Sequence, residues 1–165
     1  MPPCSIYLNM SVLKLSYKEI RGFLKNTPPY VFVDKAEVEV GKKAHGIKNF
    51  ALNEWFFQCH FPDDPIVPGV FQIEALTQTA ALAIHPMDEM GEKKILLKKF
   101  FNIDFIHGVR PGDRLYVDVE IVSFRRGIIR AKGEAYIMDD DKKIVTCQAE
   151  YQMIVPEMFN MLSPK

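Results

Sequence analysis

From Gly69 to Ile84 the chain carries neither proline nor internal glycine, and its apolar residues, Val70, Phe71, Ile73, Leu76, Leu82 and Ile84 among them, point to nearly every side of a helix. Good helix formers fill the run, so the pattern predicts one α-helix about 24 Å long at a rise of about 1.5 Å per residue. A helix that is apolar almost all round must be covered on most sides, which makes it a central one. Downstream the period changes to two. Leu115, Val117, Val119 and Ile121 alternate with Tyr116, Asp118 and Glu120, and Val145, Cys147, Ala149, Tyr151, Met153 and Val155 occupy alternate positions of a last run. The alternation predicts strands over 94–103, 114–124, 127–138 and 143–155. Arg125-Arg126-Gly127 and Asp139-Asp140-Asp141-Lys142 are short polar breaks that join the last three into an antiparallel meander.

Upstream, Ser16 and Glu19 form a capping-box pattern ahead of Ile20, Phe23 and Leu24, predicting a short helix over 17–25 that Asn26-Thr27-Pro28-Pro29 stops. Residues 30–40 and 43–52 read as two strands separated by Gly41. From Asn53 to Pro68 the pattern is irregular. Pro62, Pro65 and Pro68 each deny a ladder bond or a helical turn, while Trp55, Phe56, Phe57 and Phe61 require burial, so an ordered loop is expected. The simplest architecture is α+β, an antiparallel sheet wrapped around one long central helix. A single domain is expected over residues 1–165, with its core at about 17–155 and a loosely held C-terminal tail at 156–165.

Composition narrows the partners. With 165 residues, 48% of them hydrophobic and 25% charged, the chain has enough apolar content for one well-formed core. Lys plus Arg and Asp plus Glu each number 21, which gives no argument for nucleic acid or a membrane surface as a partner. Residues 93–132 nevertheless hold ten Lys or Arg against four Asp or Glu, a local basic excess suited to an acidic partner or to a solvated sheet face. Cys4, Cys59 and Cys147 are odd in number and lack metal-ligand spacing, so reduced thiols in a cytoplasmic protein are expected. The N-terminus does not read as a secretory signal, and the longest apolar stretch, 65–84, is broken by Pro68, Gly69, Gln72 and Glu74, so no membrane span is expected.

Chemistry concentrates between residues 60 and 78. Glu74 is the sole ionisable side chain between Asp64 and His85, on a helix expected to be buried. Burial there should raise its pKa and make a neutral general acid available near neutral pH. Gln78, one turn on, can orient it. His60 stands in a proline-fixed loop that Pro68-Gly69 delivers into the same helix, a setting that His45, His85 and His107 lack. Gly69 and Val70 place backbone N–H groups at the helix N-terminus, where a developing negative charge is favoured. Each residue also admits a plain structural reading: a carboxylate at a subunit boundary, a packed histidine, a glycine for a tight turn.

Asn53-Glu54-Trp55-Phe56-Phe57, His60-Phe61-Pro62, the run from Pro65 to Val70 and Glu74-Ala75-Leu76-Thr77-Gln78 together resemble the signature of bacterial β-hydroxyacyl-(acyl carrier protein) dehydratases, which have a hot-dog fold. Residues 29–35 resemble that family's first strand, and Val109-Arg110-Pro111-Gly112-Asp113-Arg114-Leu115 resembles its V-x-P-G-D-x-L element. By this resemblance His60 is the catalytic histidine, Glu74 the catalytic acid, Gly69 and Val70 the carbonyl-polarising amides, and Gln78 a supporting residue. It implies dehydration of a 3-hydroxyacyl thioester on an acyl carrier protein, in fatty acid or related polyketide or polyene synthesis, without cofactor or metal. It also implies a homodimer, or a trimer of dimers, with His60 and Glu74 of one site on different subunits. Glutamate rather than aspartate at position 74 resembles the branch that does not isomerise the double bond.

The chain departs from the family at three places. Cys59 and Asp63 replace the glycines that flank His-Phe-Pro, and of the two only Asp63 would tolerate positive φ well. Asp104-Phe105-Ile106-His107-Gly108 stands where the family carries arginines that receive the carrier, leaving Lys98, Lys99, Arg125, Arg126 and Arg130 to compensate. Because fold does not fix reaction, a thioesterase, a coenzyme A-thioester hydratase and a silent acyl-binding subunit stay open as alternatives.

Overall fold

The computed structural model describes residues 12–159, so Cys4 and residues 160–165 of the expected tail lie outside the described residues. Gly69–Ile84 is one helix, α2, with the bounds its composition predicts. Around it run seven strands: β1 (Leu13–Leu15), β2 (Lys35–Glu39), β3 (Lys43–Asn49), β4 (Leu96–Phe105), β5 (Arg114–Arg125), β6 (Ile128–Asp139) and β7 (Lys142–Ile154). All pair antiparallel in one sheet of order β1-β2-β3-β5-β6-β7-β4. Two short helices, α1 (Tyr17–Phe23) and α3 (Pro156–Phe159), and one 3₁₀ turn, Trp55–Gln58, complete the described elements. This is the hot-dog arrangement, with a sheet wrapped around a central helix.

Small residues let the sheet close on α2. A Cβ at Gly46 would stand 2.5 Å from Thr79 Oγ1, and one at Gly133 would stand 2.6 Å from Leu76 Cδ2 and 2.8 Å from Val119 Cγ1. Side chains there would hold the sheet away from the helix. The fully buried Tyr151 donates its hydroxyl to the Leu76 carbonyl at 2.9 Å, tying mid-helix to β7. Gly41, at φ 75°, turns the β2–β3 hairpin and donates its N–H to the Ala83 carbonyl at 2.7 Å, fastening the helix's other end.

Strand and cap expectations are met closely, with physical reasons where they are not. The Ser16–Glu19 capping box is present, but α1 stops at Phe23 because Leu24 turns extended at φ −72°, ψ 138°. The 126–127 turn has positive φ at both residues, Arg126 at 49° and Gly127 at 73°, as the right-handed twist of a two-residue hairpin requires. Residues 30–34 are not strand, and β2 begins only at Lys35, because side-chain amide bonds described below take backbone groups of Tyr30 and Phe32. Phe56 and Phe57 are buried, whereas Trp55 is 49% and Phe61 54% exposed. Within the single 3₁₀ turn Trp55–Gln58 consecutive rings cannot all face inward. Among the described residues no helix is long and apolar enough to cross a membrane.

The strand after α2 forms the sheet's edge. It lies two residues later than the pattern predicts, at Leu96–Phe105, and pairs only with β7, with two register shifts along the ladder. Its apolar side chains Leu96, Leu97, Phe101 and Phe105 stand exposed.

Candidate active site

The loop before α2 is fixed at both ends of its His60–Val67 span. Ile66 N–H donates to the His60 carbonyl at 3.0 Å, and His60 Nδ1 lies 3.1 Å from the Ile66 carbonyl. A carbonyl only accepts, so Nδ1 carries a hydrogen, and Nε2 is the nitrogen left to exchange a proton. Phe61 stacks on the imidazole, with ring centroids 4.4 Å apart. Val67 N–H bonds the Val109 carbonyl at 2.8 Å, and the Arg110 guanidinium pairs with the Asp64 carboxylate, so the loop is stitched to the Val109–Asp113 turn. Cys59 sits at φ −128°, and Asp63 is outside the left-handed region as well. Neither position therefore demands the glycine found in the family.

At the start of α2 the Gly69 and Val70 N–H groups are among those that a helix leaves without an intrahelical partner. Glycine at position 69 has a local reason: a Cβ there would meet the Phe105 ring of β4 at 2.8 Å.

One turn further, Glu74 is half-buried, and burial raises its pKa above the usual carboxylate value, while hydrogen bonds from Gln78 and Tyr30 oppose that rise. Gln78 Nε2 donates to Glu74 Oε1 at 2.9 Å and to the Tyr30 carbonyl at 3.0 Å, and Gln78 Oε1 accepts the Phe32 N–H at 2.8 Å. Two backbone groups fix the amide's sense, because a peptide N–H can only donate and a peptide carbonyl can only accept. Gln78 is thus the expected partner of Glu74, held by three bonds.

The face of α2 bearing Glu74, Thr77, Gln78, Ala81 and His85 lines a cavity of about 360 Å³. Its other walls come from residues 24–26 after α1, residues 94–97 at the start of β4, and Met153. His60 does not line it, and no hydrogen bond joins His60 to Glu74 in the protomer. The structure therefore unites Glu74 with Gln78 and fastens His60 to Ile66 in the loop that leads to Gly69, with no hydrogen bond between His60 and Glu74.

The cavity also contains residues the sequence reading set aside. His85, 11 positions beyond Glu74 on the same helix face, is buried, and burial together with the nearby Lys25 ammonium lowers its pKa to about 4. In the unfolded chain it titrates near about 6.5. The unfolded state thus binds more protons between these values, so His85 leaves the fold at full stability above pH ~6.5 and removes about 3 kcal/mol as pH falls through about 4. Urea unfolding midpoints measured across that window should fall steeply for the native chain and less for His85→Leu. Tyr30 is the other residue missed. Its carbonyl accepts from the Gln78 amide that holds Glu74, a contact made across 48 residues of chain for which no local pattern exists.

A sheet rolled around a helix that presents a half-buried carboxyl to a cavity defines a hot-dog protein with an acid-bearing central helix. The FabA-like domain family matches residues 28–148. A 3-hydroxyacyl-[acyl-carrier-protein] dehydratase FabZ from Thermoanaerobacter pseudethanolicus is 43% identical over 141 residues, covering 85% of this chain and 96% of that protein. The FabZ of Clostridium novyi is 41% identical over 139 residues, covering 82% and 95%. Among solved structures, the dehydratase heterocomplex ApeI:P from Xenorhabdus doucetiae superposes with a TM-score of 0.69 at 13% identity, covering 88% of this chain and 97% of that one, a likeness of fold. The chain belongs to the FabA-like family, among its FabZ-like members.

Proposed function

We propose that this protein dehydrates a 3-hydroxyacyl thioester borne on an acyl carrier protein to the trans-2-enoyl thioester, a step of fatty acid synthesis or of related acyl-chain building. The observation that carries this reading is the Glu74 carboxyl, pushed by burial toward its neutral form on a helix that begins at the His60 loop, in a chain so similar to FabZ dehydratases. His60 Nε2 removes a proton from C2. The electron pair moves toward the thioester carbonyl, and the developing oxyanion faces the Gly69 and Val70 N–H groups, where helix-terminal donors are worth most. As the C2–C3 double bond forms, the C3–O bond breaks and the Glu74 proton passes to the departing hydroxyl, which leaves as water. Imidazolium and carboxylate remain, and solvent returns the proton to reset both.

Within one protomer His60 lies outside the cavity that holds Glu74, so the same reading requires two subunits. The exposed apolar edge of β4 supports a homodimer formed there. Cationic residues support docking of an acidic carrier: Arg130 of β6 and Lys99 of β4 both stand opposite Gln152 of β7, and both lie over the Phe101 ring, at 4.7 and 5.0 Å. The reading takes residues 1–165 as one catalytic domain acting in the cytoplasm.

Enoyl thioesters of several lengths, offered both on acyl carrier protein and on coenzyme A, test the reading through the reverse reaction. Hydration is expected, faster with the carrier-bound form. Release of free thiol without hydration would overturn it in favour of a thioesterase.

A further inference from the structure

The cavity beside Glu74 extends well beyond the carboxyl. Glu74, Thr77, Gln78, Ala81 and His85 follow one another at helical spacing and form one stripe along α2. From Glu74 to His85 the stripe covers about 16 Å of helix axis at a rise of about 1.5 Å per residue. Apolar side chains, Leu24, Ala81, Ile95 and Met153 among them, wall the space, but the end opposite Glu74 is polar. His85 is only 7% exposed, yet its ring makes no hydrogen bond among the described residues. Lys25, close enough to His85 to disfavour its protonation, lines the same cavity with Asn26 and Lys94. Glu92 pairs with Lys25 from outside the lining, whereas the Lys94 ammonium has no ion-pair partner among the described residues. Glu74 is the sole carboxylate among the lining residues.

We propose that this cavity receives the acyl chain and that its His85 end binds a terminal carboxylate, so that the protein acts on 3-hydroxyacyl thioesters whose chain ends in an acid group. The inference deepens the dehydratase reading and rests on it: with C3 at Glu74, the chain beyond C3 runs along the α2 stripe toward His85. A methyl end there would leave the buried imidazole without a partner and would lie against cationic groups, an unfavourable setting for an apolar tail. A carboxylate supplies the missing acceptor for the ring N–H and lies in the field of Lys25 and Lys94. In a space partly closed to water such a charge-assisted bond is stronger than at an open surface. His85 and Lys94 are then specificity-determining residues, removed from the chemistry at C2 and C3.

The test compares 3-hydroxyacyl chains on acyl carrier protein that end in a carboxylate with chains of the same length that end in a methyl group, over a series of lengths. One charge-assisted hydrogen bond corresponds to about 10- to 100-fold in an equilibrium. The native protein should therefore show a kcat/KM higher by roughly that factor for the carboxylate-ended chain, at the length whose end reaches His85. His85→Leu should abolish this advantage, and Lys94→Gln, at an exposed position, should reduce it. Both are read as the ratio of the two substrates within one variant, from which a general loss of activity or of folded protein cancels. A methyl-ended chain dehydrated as well as its carboxylate counterpart at every length would overturn the proposal, and so would a ratio unchanged in both variants. Failure of the native protein to dehydrate any chain would instead overturn the dehydratase reading itself, so the two failures are told apart.

Discussion

Glu74→Gln is expected to lower the dehydration rate by two to four orders of magnitude, roughly the contribution of a well-placed general acid. Glutamine has the shape of the glutamic acid it replaces and can still accept from the Gln78 amide, so packing survives and the transferable proton is lost. His60→Ala should cost about as much, because it removes the base and leaves the Gly69 and Val70 donors in place. Since His60 and Glu74 do not meet within one protomer, the two inactive variants carry complementary defects. Mixed and re-equilibrated in equal amounts, random pairing makes half the dimers heterodimers, each with one intact site of two, so activity should return to about a quarter of the native value. Recovery would establish a site shared between subunits. Continued silence of the mixture, with subunit exchange verified by mass spectrometry, would refute it.

The second large effect concerns the contact between Leu76 and Gly133. Leu76 is fully buried at mid-helix, and truncating it to alanine should cost roughly 2–5 kcal/mol, the transfer and cavity terms together. Gly133→Ala places a methyl where only 2.6 Å separates the new Cβ from Leu76 Cδ2, and about 1–3 kcal/mol of overpacking is expected. Combined, the two should cost less than their sum, because the alanine methyl at 133 enters space that leucine vacates. Urea denaturation of the two single variants and the double variant measures the coupling. Strict additivity would mean that Val119 Cγ1 and the Asp118 carbonyl, also close to the added methyl at 2.8 and 3.1 Å, set the limit at this position.

What the sequence discloses follows from the range of the forces involved. Helix α2 is legible to the residue because no proline or glycine interrupts it between Gly69 and His85, and the last three strands are legible because apolar residues alternate along much of their 12 or 13 residues. The Ser16–Glu19 box is legible because a cap is a local bond. Three-residue β1 is too short to show a period. Tyr30 to Val33 reads as strand because its propensity is high, yet Gln78 takes its backbone groups, and nothing near residue 30 announces a partner on another element. Similarly, Glu74 stands out as a lone carboxylate in an apolar run, whereas Tyr30 is one aromatic among several. At Cys59 and Asp63 neither residue takes a positive φ, so neither position demands glycine.

The amide of Gln78 has a directional consequence for Glu74. Its oxygen is committed to Phe32 and its nitrogen to Tyr30, so it cannot rotate to present an acceptor to its neighbour. The Glu74 oxygen that meets it faces a hydrogen. In the un-ionised state the carboxyl oxygen that faces the Gln78 amide accepts its hydrogen, and the acidic hydrogen sits on the other oxygen.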